Sequence, residues 1–534
     1  MIKKRYSIIL IIVGVSLSLL VLVVPFLTKY LIDEAINLSS GDTSNYDKLI
    51  QYIILITIFT LLSISFKILE NILYSKFYLK LEMDLKNRLF ESMSYKSIIA
   101  LSNYKIGDIE VLYEQDIRNI LRSSLSTIPA FFKQMTRAIA SLSLLFILDE
   151  TKYKLMMIIL ISIGIMALIF ARIYSKIIKP HHKKVLEADS LTSSLFIESY
   201  NQHKRIISYE AYDRINEYYY KLNLDAKIEK TKRNRILYTA NSFIFAFITL
   251  IYSMCLILGA YFIAKGIYTY GALIAIVQLI NNIEAPFINL SGLINHYNLG
   301  KTSKERYLKL INEENINNSC EINDFDSIVF DNLSFKYDDR YIIKDFNLEI
   351  KKGDILKIGG ESGIGKTTLL SLILGYLEPN SGDISFVKDN KKYDTYKSRG
   401  LFGYLSQDNI LFSATILDNI YILTGIKDIN KINNALKLSN IYDEIYQMKD
   451  GINTKLSNNQ GLSLGQIQRI LIAILILYDK PILLLDEFSS SLDKDNENII
   501  INNLLSLNKT IIYITHRNNI ISNQRVIEIK NENN

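Results

Sequence analysis

Residues Tyr6 to Thr28 are 23 consecutive positions without a charged side chain. As a helix they run about 35 Å, longer than the ~30 Å hydrocarbon layer of a bilayer. Lys3, Lys4 and Arg5 precede them as in a secretory signal. The run is too long for a signal core, however, and no small-x-small cleavage site follows, so it reads as a membrane anchor. Leu49–Phe66, Leu155–Ala171, Ile236–Ala264 and Gly266–Ile283 are also uncharged, each at or near the ~18 residues of a spanning helix. Ala138–Leu148 is short alone but extends backward through Lys133 and Arg137 at helical spacing. Six spans are therefore expected, near 7–28, 49–70, 128–148, 155–175, 236–264 and 267–290, in a membrane domain of residues 1–312. With 6 prolines in 534 residues, long helices meet few breakers. Two cysteines cannot build a disulfide framework or a Cys-rich zinc site. The net charge of +7 is mild for this length and predicts no nucleic-acid partner.

Lys and Arg placement sets the orientation. The loop after the first span carries Asp33, Glu34, Asp42 and Asp47 against Lys29 and Lys48. The next loop, with Lys76, Lys80, Lys86, Arg88, Lys96, Lys105, Arg118 and Arg122, and the segment from Arg172 to Arg235 are crowded with positive charge. The amino terminus, both long loops and everything past residue 300 are thus expected in the cytoplasm of a multi-pass plasma-membrane protein. Asn71–Met93 and Glu198–Asn234 repeat apolar residues every three or four positions, so the spans should continue as helices beyond the lipid. Tyr200–Ile215 suits a reversal that touches another domain.

Near residue 320 the pattern changes to short strands, glycine turns and mixed helices. A linker at 313–325 is expected to lead into a second domain, 326–534. Ile328–Phe335, Ile343–Ile350 and Asp354–Ile358 read as strands and Leu369–Leu377 as a helix. Between the last two lie Gly360, Glu361, Ser362, Gly363, Ile364, Gly365, Lys366, Thr367 and Thr368, which is G-x-x-x-x-G-K-[ST] between a strand and a helix. The glycines let backbone N–H groups wrap phosphates at a helix amino terminus. Lys366 would neutralise β- and γ-phosphate charge, and the Thr367 hydroxyl would ligate Mg²⁺. The apolar run Pro481–Leu485 ends in Asp486 and Glu487. Asp486 would hold Mg²⁺ and Glu487 would polarise the attacking water.

Leu462-Ser463-Leu464-Gly465-Gln466, with Gln466 20 residues before Asp486, resembles the signature of ATP-binding-cassette (ABC) proteins. Gln407, 41 residues after Lys366, resembles the family's Q-loop glutamine; Ser490-Ser491-Leu492-Asp493 resembles the D-loop and His516 the switch histidine. Tyr337, 23 residues before Gly360, resembles the aromatic that stacks on adenine. Six spans before such a domain are similar to an exporter-type half-transporter. The resemblance implies an all-α polytopic membrane domain of six transmembrane helices with long cytoplasmic extensions, followed by an α/β P-loop ATPase domain. It implies ATP held by Tyr337 and residues 360–368, and Mg²⁺ held by Thr367, Gln407 and Asp486. Catalysis would fall to Glu487, Gln407 and His516, with Ser463, Gly465 and Gln466 meeting nucleotide from a second chain and Asp493 in the D-loop. Leu464 replaces the usual glycine, and Leu456-Ser457-Asn458-Asn459 stands where exporters often carry Gly-Glu. Both departures bear on catalytic rate and coupling.

The resemblance also implies two ATPase domains head to tail. Because one chain has both a catalytic Glu and a signature, a homodimer is the economical reading, with a second, different half-transporter as the alternative. ATP-driven closure would act through inner-loop segments near Gly107–Arg118 and Asn201–Tyr209. No importer pattern is visible, which favours export. Six residues precede the first span, so no amino-terminal peptidase domain is expected. Lys67, Glu70, Lys133, Arg137 and Glu284 fall in or beside spans, where charges face a cavity or the inner interface. A polar, mixed-charge cavity leans toward a peptide or bacteriocin-like cargo, against a drug or lipid. A membrane-bound ATP-driven sensor or immunity component that moves no cargo is the reading from another class.

Overall fold

The computed structural model describes residues 4–39, 46–104, 106–148, 155–313, 322–337, 340–361, 363–407, 410–456, 461–515 and 524–529. These form two compact units. One comprises Met1–Ser94 with Tyr104–Glu313, the other Tyr95–Asn103 with Glu314–Asn534. The short helix Ile98–Ser102, capped by the Ser97 hydroxyl, therefore belongs with the carboxy-terminal unit. Gly107–Arg118, the contact segment expected from sequence, lies in the first unit.

Among the described residues the first unit is built of helices, with no strand. Its long helices are Lys4–Ser39, Tyr46–Ser94, the run that ends in Ile128–Leu148, Leu155–Asn201, Tyr212–Ala264 and Tyr270–Asn312. Among the described residues, four are long and apolar enough to cross a membrane: Arg5–Ser39, Tyr46–Ser94, Gly107–Leu148 and Tyr212–Ala264. The apolar part of the last helix, Tyr270–Ile283, is shorter. Residues 149–154, between the third and fourth expected spans, lie outside the described residues. The helices run far past the apolar stretches, as the periodicity of the inner loops predicts. On Tyr46–Ser94 the buried side chains Phe77, Leu81, Leu85 and Leu89 recur every four residues, the spacing of one helical stripe. They share a core with Ile117, Leu121, Leu125, Tyr307 and Leu310. The reversal expected within Tyr200–Ile215 is present, with Ile207 and Ser208 closing the short helix His203–Ser208 before Tyr212–Ala264 begins.

Two features of this unit come from packing. Helical winding widens to π-type at Leu112–Asp116 and Arg122–Thr127, a local change that re-aims side chains. Asp116 is fully buried there, and its Oδ1 accepts hydrogen bonds from Ser303 Oγ (2.7 Å) and Arg306 Nη2 (2.6 Å) on the last helix. Of the charges expected near the membrane, Glu70 takes up two cations, pairing with Lys133 Nζ at 2.8 Å and Lys67 Nζ at 2.9 Å. The pair lies against the first helix at Gly14, where a Cβ would make ordinary contacts, 3.5 Å from Lys133 Cδ and 3.6 Å from Glu70 Oε1.

The second unit holds two sheets. Strands β1 (Ser327–Tyr337), β2 (Arg340–Lys351), β4 (Ser381–Lys388) and β5 (Lys391–Asp394) form an antiparallel sheet in the order β2-β1-β4-β5. Strands β3 (Ile355–Gly359), β6 (Phe402–Leu405), β7 (Ile482–Asp486), β8 (Thr510–Ile514) and β9 (Arg525–Glu528) form a parallel sheet ordered β6-β7-β8-β3-β9. Every residue of β7 and β8 is buried. That is why these strands read as unbroken apolar runs instead of alternating ones. One core packs Leu369, Leu370, Leu372 and Ile373 of the helix Lys366–Ile373 between the sheets. A second lies beneath Leu464–Tyr478 and Lys494–Ser506. A third holds together the helices Ile416–Thr424, Ile429–Leu438 and Tyr442–Gln447. The strand expectations match within three residues; the helix expected at Leu369–Leu377 begins at Lys366 and ends at Ile373.

Close approach of the last helix to the π-wound segment needs a glycine. A Cβ on Gly300 would lie 2.2 Å from Ser123 Cβ and 2.9 Å from the Asn119 carbonyl oxygen, neither of which can swing away. Gly300→Ala is therefore expected to destabilise the helical unit by about 1–3 kcal/mol, read as a lower thermal midpoint in detergent. Gly292→Ala, where a Cβ meets nothing within 4 Å on the same helix, should not.

Candidate nucleotide site

Parallel pairing delivers the carboxyl ends of β3, β8 and β7 side by side, where ligands of α/β sheets bind. Past β3 the chain enters the glycine loop. Gly360 has φ +133° and Gly365 φ +112°, conformations that L side chains avoid. At Gly365 a Cβ would also sit 2.4 Å from Ile342 Cγ2. The loop hands over directly to the helix Lys366–Ile373, whose first turn carries Thr367 and Thr368. Lys366 is buried and turns into the loop, its Nζ donating to the carbonyl oxygens of Gly360 (2.7 Å) and Glu361 (2.9 Å). Glu361 and Gly363 are exposed on the loop and Ile364 is half-buried. Ser362 and His516 lie outside the described residues, as does most of the segment just before the signature.

At the end of β7, Asp486 is buried. Burial and then the adjacent Glu487 push its carboxyl above the usual carboxylate range, with Lys366 pulling the other way. Lys366 therefore acts on Asp486 as well as on the loop. Glu487 takes a left-handed backbone, φ +50°, uncommon outside glycine and a mark of functional turns. Its N–H donates to the Ile514 carbonyl at the end of β8 (3.0 Å), which fixes the turn. Gln407, beyond β6, donates from Nε2 to Glu487 Oε2 at 3.2 Å. Sequence positions 80 apart are thus joined. Tyr337 ends β1 with its ring edge-on to Phe335 (4.9 Å between centroids) and 51% exposed, leaving ring surface open for stacking.

The signature forms a helix start. Ser463 caps Leu464–Tyr478: its Oγ accepts the Gln466 N–H (3.2 Å), while Gln466 Oε1 accepts the Ser463 N–H (2.8 Å). The positive end of a 15-residue helix lies there. Gly465 packs tightly on the turn after β7: a Cβ there would come 3.0 Å from the Ser491 carbonyl oxygen. Leu464, the departure from the usual glycine, points outward and is 63% exposed, so it displaces nothing in this chain. Asp493 caps the next helix, Oδ1 accepting the Asn496 N–H at 3.0 Å.

Sequence reasoning missed Gln468. It is buried, its Nε2 donates to the Glu487 carbonyl (3.4 Å), and its Oε1 accepts the Ser491 N–H (3.3 Å). It thereby ties the signature helix to both ends of the turn after β7. A polar side chain inside Leu464–Tyr478, otherwise apolar from Ile470 onward, was the available signal. Oxygen donors at Thr367, Gln407 and Asp486, with a buried carboxylate whose charge is unfavourable, suit a hard divalent cation that keeps water and phosphate ligands.

Residues 7–286 match the family described as ABC transporter transmembrane region, and residues 343–490 match the family described as ABC transporter. The chain belongs to the ABC transporter family. It carries the transmembrane region and the ATPase on one polypeptide, in the half-transporter arrangement of an ABC exporter, and is a membrane protein that couples ATP hydrolysis to transport. A probable ABC transporter ATP-binding/permease protein of Haemophilus influenzae is 28% identical over 81% of this chain and 79% of that one. A putative export ATP-binding/permease protein of Rickettsia conorii is 29% identical over 96% and 90%. The lactococcin-A transport/processing ATP-binding protein of Lactococcus lactis is 30% identical over 78% of this chain and 58% of that one. The solved structure of a bacterial Atm1-family ABC exporter with ATP bound superposes with a TM-score of 0.81, covering 98% of this chain and 92% of that one at 20% identity. It shares the fold.

Because Asp486 is a buried charge beside a second carboxylate, Asp486→Asn should stabilise the nucleotide-free ATPase unit while abolishing hydrolysis. A relief of about 1 kcal/mol corresponds to about 2–4 °C in thermal midpoint. A lowered midpoint would show that the carboxylate stabilises the unit instead.

Proposed function

We propose that this chain is an exporter that binds ATP and Mg²⁺ and moves cargo out of the cytoplasm across the plasma membrane, working as a homodimer by alternating access. The observation that carries this reading is that one chain holds both halves of a nucleotide site. It has a glycine loop with Lys366 beside Asp486 and the Gln407–Glu487 pair, and also a Ser463-capped helix start. Two copies arranged head to tail make two complete sites, which makes the homodimer the economical reading, with a different half-transporter as the alternative partner. The domain limits are 1–312, 313–325 and 326–534, with spans near 7–28, 49–70, 128–148, 155–175, 236–264 and 267–290 and the ATPase inside the cell.

In the site, Tyr337 stacks on the base, and residues 360–368 and Lys366 hold the phosphates. Thr367, Gln407 and Asp486 hold Mg²⁺, which when bound neutralises charge on the phosphate oxygens. Glu487, turned by its left-handed backbone and oriented by Gln407, accepts a proton from the attacking water. His516 takes the catalytic role of the switch histidine, and Ser463, Gly465 and Gln466 complete the site from the second copy, with Asp493 in the D-loop. ATP binds the closed pair of domains better than the open pair and so drives closure.

The cargo reading favours a peptide of the bacteriocin class, supported by the similarity to the lactococcin-A transport protein. Glu70 pairs with both Lys67 and Lys133, which reduces the free charge offered to cargo without removing it and keeps a drug or lipid as the second reading. The test is ATP hydrolysis by the purified chain in lipid, followed by uptake into inside-out vesicles. Glu487→Gln and Lys366→Ala should each lower hydrolysis by about 10²–10⁴-fold, and labelled peptide should accumulate only with ATP and the wild-type chain. Hydrolysis without uptake of any peptide, dye or lipid would point to a sensor or immunity component. Hydrolysis that appears only after a different half-transporter is added would overturn the homodimer.

A further inference from the structure

The first turn of the signature helix is anchored from outside by one carboxylate. Capping by Ser463 uses Gln466 Oε1, so the Gln466 amide nitrogen points away and donates to Glu444 Oε2 at 2.8 Å. Glu444 lies on the short helix Tyr442–Gln447, in a different packed cluster from the nucleotide loop. Its carboxylate also takes both arms of Arg469, Nη1 to Oε1 at 2.6 Å and Nη2 to Oε2 at 3.1 Å. This is the bidentate, charge-assisted geometry that fixes orientation as well as distance. Arg469, 7% exposed, donates in turn from Nε to the Gly465 carbonyl (3.3 Å) and from Nη1 to the Asn440 carbonyl (2.6 Å). The Asn440 side chain donates to Asn496 Oδ1 (2.7 Å), and the Asn496 N–H donates to Asp493 Oδ1 (3.0 Å). One run of hydrogen bonds therefore leads from the Ser463–Gln466 turn to the Asp493 cap, and Glu444 with Arg469 is its middle.

We propose that Glu444 is a positioning residue for ATP hydrolysis: through Gln466 and Arg469 it holds the Ser463 turn and the Asp493 cap as one rigid edge. This rests on the reading that the Ser463 turn meets nucleotide held by a second copy. The carboxylate accepts three hydrogen bonds spread over both oxygens. Glutamine has a single acceptor oxygen, so in Glu444→Gln at least one of those donors faces an –NH₂ group whichever way the amide turns. The turn then loosens without any change at the glycine loop, and a misplacement of about 1 Å at a reacting geometry can cost up to about 10² in rate.

The test uses the full chain in lipid, with kcat, KM for ATP, fluorescent-ATP affinity and thermal midpoint measured together. Glu444→Gln is expected to lower kcat about tenfold with ATP affinity and midpoint unchanged, while Asp443→Asn on the same helix behaves as wild type. Arg469→Lys, which keeps the charge and loses the fork, should give the same split, and the double variant should fall no lower than the worse single. Wild-type kcat in Glu444→Gln, when Ser463→Ala is impaired, overturns the proposal. So does a Glu444→Gln chain whose midpoint and ATP affinity fall along with kcat, unless Arg469→Lys shows the kcat loss alone. Wild-type kcat in Ser463→Ala overturns the underlying reading of the signature and the proposal with it.

Discussion

The parallel register of β3, β8 and β7 is what the ATPase half depends on. Three buried strands end together, so the glycine loop, the Asp486–Glu487 pair and the Ile514 carbonyl that pins Glu487 meet at one edge. None of these groups could be functional alone. Lys366 without Asp486 is a buried cation against two carbonyls, and Asp486 without a nearby cation is a charge that burial and Glu487 both oppose. The arrangement keeps two acids together at a cost to the fold, which is what a metal- and phosphate-binding edge requires.

The other half of the site is built on a different principle. Ser463, Gly465 and Gln466 form a helix start whose conformation is settled by capping, by contact with Ser491 and by the Glu444–Arg469 fork. Gln468 then connects this helix to the turn that carries Glu487. Within one chain the signature thus supports the catalytic turn from behind while presenting its own helix terminus outward. The membrane half follows similar logic: glycine at 300 permits close helix approach, and charge at buried Asp116 and half-buried Glu70 is met by partners on neighbouring helices.

Much of this was legible from residues alone. Uncharged runs announced helices, and periodicity showed that they outlast the apolar stretch. The glycine loop could be placed because its spacing has one physical use, and β7 was visible as the apolar run Pro481–Leu485 because both its faces are covered. Boundaries were less legible: the helix after the loop begins at Lys366, since capping by a left-handed Gly365 sets its start, and hydrophobicity does not report that. Tyr95–Asn103 groups with the ATPase unit although it lies between helices of the membrane unit, and no local pattern in the sequence announces that grouping.

The sequence by itself determined the two-part architecture, the helical membrane unit and the identity of the phosphate-binding loop. Those properties follow from local pattern: hydrophobic run length, periodicity and backbone freedom at glycine. Only the tertiary structure decided that Gln407 reaches Glu487, that Gln468 braces the catalytic turn and that Glu444 holds Gln466 and Arg469. Those are contacts between residues 19 to 80 positions apart. A single polar residue carries no local signature of its partner, and the choice is made when strands and helices pack and every buried donor must find an acceptor.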